Sequence, residues 1–184
     1  MNVKGLAFIQ IKTQITYVFG KERWNIFFNQ LKESNSFFNL SILATTKIPI
    51  NEYLVFVDTM LKEFYKNDKK VFWKMGKDGA TTSLAKDGPF RVFLKRKRNP
   101  QAFINSILPR IWNLYFDEGY EKFLLDKNIM YVYIFNLPIY HVYFEYTTMG
   151  YIERALELFG VTIKKIIKLL GSTKEIHYKL VLDL

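Results

Sequence analysis

A chain of 184 residues with 49% apolar and 17% aromatic content has the composition of one globular domain, long enough to bury roughly 70% of the surface its unfolded form would expose. The absence of cysteine rules out disulfides, thiolate nucleophiles and zinc–thiolate sites. Net charge is +10, and between Lys66 and Arg98 eleven Lys/Arg face three Asp, a clustering that suits either an anionic partner or a solvated, solubilising face.

In chain order, Phe8, Ile11, Ile15 and Val18 recur at helical spacing, and Gly20 stands where that helix would end. Trp24, Phe27, Phe28 and Leu31 make a second stripe. After a polar stretch near Asn35 and the segment Phe37–Leu43, Pro49 and Asn51 open a third helix striped by Leu54, Val57, Leu61 and Phe64. Lys70–Met75 reads as a short helix stopping at Gly76, and residues 77–89, rich in Gly, Asp, Thr and Ser, as a loop or irregular helix. Asn99 as N-cap and Pro100 at the first position start a helix carrying Ile104, Ile107, Leu108, Ile111 and Tyr115. Pro109 removes a backbone donor within it, so a kink is expected, and Gly119 closes it.

The last third changes character. Met130–Leu137 and Tyr140–Tyr146 are β-branched and aromatic runs, read as a hairpin turning at Asn136–Pro138. Two helices are expected next, one ending at Gly160 and one, striped by Ile163, Ile166, Ile167 and Leu170, at Gly171. The chain closes on a strand in which Ile176, Tyr178, Leu180 and Leu182 alternate with more polar positions. The expected class is α+β: a helical N-terminal half (1–120) packed on a small antiparallel sheet (121–184) with strand-strand-helix-helix-strand order, all in one domain. The N-terminal apolar run is short and lacks a small-residue cleavage site, so no signal peptide is expected. The uncharged stretch from Asn128 to Phe144 is interrupted by Asn136, Pro138 and His141, and a spanning helix needs ~20 apolar residues. No transmembrane segment is therefore expected, and a cytoplasmic location is.

No catalytic constellation emerges, so an enzyme is not expected. His141 and His177 fall on the polar phase of their expected strands, and Glu145 shares that phase with His141. Two surface histidines on a solvated face is the plainer reading, and no metal site is expected. Asp117–Glu118 at a helix end and Glu153/Glu157 at helical spacing show no sign of converging in a cleft, and Glu157 suits surface pairing with nearby cations. No serine has the glycines of a nucleophile elbow, and Gly76–Gly79 lacks the frame of a phosphate loop. Lys95, Arg96, Lys97 and Arg98, with Arg91 nearby, form an expected anion-binding patch beside the positive end of a helix dipole. Phe90 and Phe93 are expected to face the core, so nucleic acid is not an expected partner.

The layout resembles the superfamily that includes the haem nitric-oxide/oxygen-binding sensors, the hydrocarbon-binding domains of the 4-vinyl-reductase type and the small subunits of the Golgi transport particle. Val3-Lys4-Gly5 leading through Ile11-Lys12 to Phe19-Gly20 is similar to the sensors' first helix. Val71–Gly76 is similar to their tryptophan-to-glycine helix end, and Glu145-Tyr146-Thr147-Thr148 before Phe159-Gly160 to their strand-to-helix corner. The resemblance implies a helical half against a small sheet with an apolar pocket between. It also implies that Phe103 stands where the sensors carry the iron-binding histidine. Tyr146, Thr148 and Gly150 stand for their propionate-binding tyrosine, serine and arginine, so the chain resembles a branch without the haem histidine. Phe103, Ile107, Ile111 and Tyr146 are then the expected pocket residues, although rings as large as Phe103 and Trp112 suit a filled core as well. The expectation is a non-enzymatic ligand-binding or sensory domain without haem or other cofactor, whose partner is an apolar small molecule or a protein. The alternatives are a transport-particle-like scaffold, which could pair as a homodimer, and a basic-patch binder of anions.

Overall fold

A computed structural model describes residues 1–85, 87–88, 90–92, 100–172 and 175–183. The chain divides into two compact units, Met1–Val71 with Tyr115–Asp117, and Phe72–Leu114 with Glu118–Leu184. Helices dominate the N-terminal half and a four-stranded antiparallel sheet lies in the C-terminal half, an α+β fold. Among the described residues no helix is long and apolar enough to cross a membrane.

The first unit joins β1 (Asn2–Lys4), α1 (Gly5–Phe19), α2 (Lys21–Ser34), a 3-10 turn at Ser36–Asn39, β2 (Lys47–Pro49) and α3 (Ile50–Tyr65). β1 and β2 pair antiparallel with Val3 opposite Ile48, both fully buried. Gly20, at φ 90°, separates α1 from α2, a conformation glycine adopts at no steric cost. The stripes read from the sequence converge on rings: Phe8 lies 4.8 Å from Phe56 and 5.8 Å from Trp24, and Phe27 lies 5.2 Å from Phe64. Offset and edge-on aromatic contacts of this kind add to the burial each ring already provides. Asp117 is spent on structure, because its carboxylate accepts from the Asn2 backbone and side-chain amides.

The second unit holds all but the first two residues of α4 (Lys70–Leu84), α5 (Pro100–Ser106), all but the last residue of α6 (Leu108–Tyr115), β3 (Tyr120–Asp126), β4 (Ile129–Phe135), α7 (Val142–Leu158), β5 (Thr162–Gly171) and β6 (Glu175–Asp183). The sheet order is β3-β4-β6-β5, antiparallel throughout. α5 lies against β3 and α7 against β5. The expected break near Pro109 is present: α5 ends at Ser106, Ile107 forms a turn, and α6 starts at Leu108. The closing strand is also as expected, with Ile176, Tyr178, Leu180 and Leu182 buried.

The short strands β1 and β2 and the edge strand β3 (Tyr120–Asp126) were not expected from the sequence, and three further segments take a form other than the expected one. The element order after residue 120 is strand, strand, helix, strand, strand. Tyr140–Tyr146 is not a strand, because His141 caps α7 by accepting from the Tyr143 N–H at 3.1 Å, and helix follows. That helix is buried on most sides between Tyr143 and Ile152, so its first turns imitate a β-rich run, and burial overrides propensity. Ile163–Leu170 is a strand, not a helix, because register shifts between Ile163 and Lys165 and between Lys168 and Leu170 insert extra residues. Bulges of this kind turn two-residue spacing into three and four. Residues 77–84 continue α4 rather than forming a loop. Thr81 and Thr82 return their hydroxyls to the carbonyls of Lys77 and Asp78, and the small residues pack inward.

Candidate ligand site in the sheet-bearing unit

The sheet's two faces differ chemically. One face is buried along rows set by register: Phe123, Val132 and Tyr178 form one, which ends on the exposed Lys168, and Glu121, Ile134 and Ile176 the next, which ends on the exposed Gly171. The opposite face carries Tyr131, Tyr133 and Phe135 along β4, with His177 edge-on to Tyr133 at 4.8 Å and bonded to Glu175 at 3.0 Å.

Two carboxyls interrupt the buried face. Glu145, in the first turn of α7, is fully buried but well satisfied. It accepts from the Tyr140 hydroxyl at 2.6 Å, from the Tyr178 hydroxyl and from the Lys168 ammonium at 2.7 Å. Burial pushes the Tyr178 phenol up, and its bond to Glu145 pushes it further. Burial would pull Lys168 down, but the Glu145 carboxylate wins and holds the ammonium above the ordinary lysine range. The cluster therefore rivets α7 to β5 and β6 with charge-assisted bonds. Tyr178→Phe leaves a buried carboxylate short of one donor, so a loss of about 1–3 kcal/mol is expected by urea unfolding; Tyr140→Phe, at a half-buried ring, should lose less.

Glu121, the second carboxyl, is not satisfied in this way. It points inward from the edge strand β3 at 9% exposure, and no hydrogen bond or ion pair reaches it from the described residues. Burial alone pushes it up to about 8. No pattern in the sequence singled it out. Its one signal was an acid in the inward phase of Glu121, Phe123 and Leu125, which also hid β3 itself.

The expected pocket residues fall in two places. Phe103 is buried on α5 and stacks on Phe159 at 3.8 Å between centroids. Ile111 is buried on α6, and Ile107 is half-buried at the turn between the two helices. Tyr146 lies on α7 about 20 Å from Phe159, at 1.5 Å per residue, and its ring meets Trp73 at 5.8 Å. Tyr146, Thr148 and Gly150 belong to one continuous helix, not to a strand-to-helix corner. Val71–Gly76 likewise lies inside α4, and Gly76 is no helix end. The α4–α7 contact instead absorbs the Glu153/Glu157 pair: Glu153 accepts from the Trp73 indole at 2.6 Å, and Lys77 bridges both acids at 3.0 Å. Arg154 adds a bond to Glu157 at 2.9 Å. His141, His177 and Glu145 do not meet, and no acidic or histidine cluster able to hold a metal occurs among the described residues. Phe90 is buried and Arg91 exposed. Lys95, Arg96, Lys97, Arg98, Phe93 and Asn99 lie outside the described residues.

No protein-family model and no curated protein matches the chain. Solved structures do. An H-NOX protein from S. oneidensis, crystallised in an Fe(II) ligation state, aligns over 98% of this chain and 96% of its own, with a TM-score of 0.74 at 12% identity. Cs H-NOX aligns over 98% and 97%, with a TM-score of 0.73 at 11% identity. Fe(II) unliganded H-NOX from K. algicida aligns over 98% and 97%, with a TM-score of 0.67 at 12% identity. At such low identity the match establishes the fold alone, which is the one these H-NOX structures share.

Proposed function

We propose that this chain, built on the H-NOX fold, is a non-enzymatic ligand-binding or sensory domain that takes an apolar small molecule without an imidazole-ligated haem. The match to Fe(II) H-NOX structures along nearly the whole chain supports ligand binding as the role of the fold. The donor set argues against the iron. The chain has two histidines and no cysteine. His141 Nδ1 is committed to the α7 N-terminus, and His177 stands on the outer sheet face against Tyr133. α5, the helix that the resemblance assigns to the proximal ligand, presents Phe103 and Ile104 to the interior. An iron porphyrin needs an axial donor, and these side chains do not fit one held through imidazole.

The single observation that carries the reading is the buried face of α5: Phe103 is 1% exposed and stacked on Phe159, an apolar wall where coordination chemistry would need a base. Native mass spectrometry and absorption spectroscopy test it together. Protein expressed with added haem precursor is expected to purify without a Soret band, and reconstitution with free haem should produce no saturable one. A stoichiometric Soret band following the protein through purification would defeat the haem-free reading.

A further inference from the structure

We propose that the outer face of the four-stranded sheet docks a second copy of this chain, forming a two-fold dimer packed sheet on sheet. The docking face is the one opposite the buried rows, so dimerisation stands apart from the ligand reading. It is apolar for a face in water: Tyr120, Leu124 and Leu170 stand on it 46%, 46% and 39% exposed, beside the half-buried rings of Tyr131, Tyr133 and Phe135. It is also close to neutral. Lys122, Lys165 and Lys179 stand against Asp126 and Glu175, and Asp183 is already held by Lys164 at 3.0 Å. The chain as a whole carries +10. An aromatic face holding so little of that excess suits a partner without strong charge better than an anion such as nucleic acid.

The order of groups along the rows is what selects a second copy. A two-fold axis parallel to the strands, between β4 and β6, lays β3 of one copy over β5 of the other and β4 over β6, row against row. One row reads Asp126, Ile129, Val181 and Lys165 from β3 to β5. Reversed onto itself, it sets Asp126 against Lys165 of the second copy at both ends and Ile129 against Val181 between them. The next row, Leu124, Tyr131, Lys179 and Ile167, sets Leu124 against Ile167 and the Tyr131 ring against the Lys179 ammonium. An axis across the strands through the middle of the face would instead bring His177 towards Lys179 and Asp126 towards the Tyr120 ring, matching no charge. Twisted sheets pack with their strands about 30° apart, which slips the edge strands by about one residue, a distance a lysine side chain spans. Four strands about 4.8 Å apart and about 24 Å long give a flat footprint of roughly 450 Å² per copy. That is small for a stable interface, so a micromolar dimer is expected.

Sedimentation velocity of the full chain from about 10 to about 500 µM tests the docking. The wild type should pass from a 21.9 kDa species towards twice that mass as concentration rises. Asp126 and Lys165 are both exposed and lie on opposite edge strands, so reversing either charge leaves the fold of one copy intact. Asp126→Lys and Lys165→Asp should each weaken association at least about tenfold, since like charges then meet at both ends of the row. Mixed in equal amounts, the two variants should dimerise with each other as well as the wild type does with itself, because each supplies the charge the other lacks. Damage to the fold of either variant could not be repaired by mixing. A wild type that is monomeric throughout the range, a charge reversal without effect, or a mixture that stays monomeric overturns the proposal. A monomeric wild type that binds oligothymidylate would, besides, assign the rings to stacked bases.

Discussion

Gly150→Ala is expected to lower stability by about 3 kcal/mol, the upper end of what an inserted methyl costs in a packed interior. A Cβ at Gly150 would lie 2.0 Å from the Trp73 carbonyl oxygen, and one at Gly76 would lie 2.1 Å from the Thr147 carbonyl oxygen. Both obstacles are backbone, which cannot rotate aside. α4 and α7 would have to separate, and the bonds spanning them would stretch: Trp73 to Glu153 at 2.6 Å and Ser83 to Tyr151 at 2.8 Å. Alanine's better helix propensity, worth about 1 kcal/mol, offsets only part of this. The pair should also be non-additive. Once either methyl has pushed the helices apart, the second finds space, so the double variant Gly76→Ala/Gly150→Ala should cost clearly less than the sum of the singles. Urea unfolding of the three variants checks both statements. A Gly150→Ala protein as stable as wild type would mean that the two helices do not touch at this point.

The same glycines show what the sequence made legible and what it did not. Helices with one wet face announced themselves: α3 buries Tyr53, Leu54, Phe56, Val57, Met60, Leu61 and Phe64, so its apolar residues recur at helical spacing. α4 and α7 carry no such stripe in the region where they meet. Their closest approach is set by Gly76 against Thr147 and Gly150 against Trp73, with Ser83 bonded to Tyr151 nearby, and the small residues of α4 read as loop when met alone. Small residues there are a packing requirement that only the partner helix reveals. β5 failed for a different reason, since two bulges rewrote its periodicity, and β6 succeeded because its alternation is unbroken from Ile176 to Leu182.

The candidate site was legible to about the same degree. Phe103 and Ile111 followed from helical spacing together with the family resemblance, and both are buried. Tyr146 was placed by an assumed strand-to-helix corner, which the helix from Val142 removes. Glu145 was grouped with His141 by alternation, whereas three-dimensional packing gives it Tyr140, Tyr178 and Lys168. Those partners are 5, 33 and 23 residues away in sequence, and no local pattern couples residues at such separations. Glu121 was invisible for a related reason: one acid among Lys122, Asp126 and other charges looks solvated until the register of β3 on β4 turns it inward.

Glu121 also sets the second large expectation, a fall in stability with rising pH that Glu121→Gln should abolish. The carboxyl titrates at about 8 in the folded protein, from an ordinary value of 4.5, because burial disfavours its charged form. Below pH 4.5 both folded and unfolded chains hold the proton, and the group's favourable contribution is fully present. Between 4.5 and about 8 the folded chain keeps a proton that the unfolded chain has released. The unfolded state then binds fewer protons, so stability declines by about 1.4 kcal/mol per pH unit, up to roughly 5 kcal/mol over the whole window. Above pH 8 both forms are ionised and the loss is complete. Glutamine keeps the shape and never ionises, so the variant should match the wild type near pH 5 and exceed it increasingly towards pH 8. Urea unfolding of both proteins at pH 5, 6.5 and 8 reads the difference directly, because every other titrating group is common to the two. Parallel curves would show that the folded protein does not desolvate the Glu121 carboxyl.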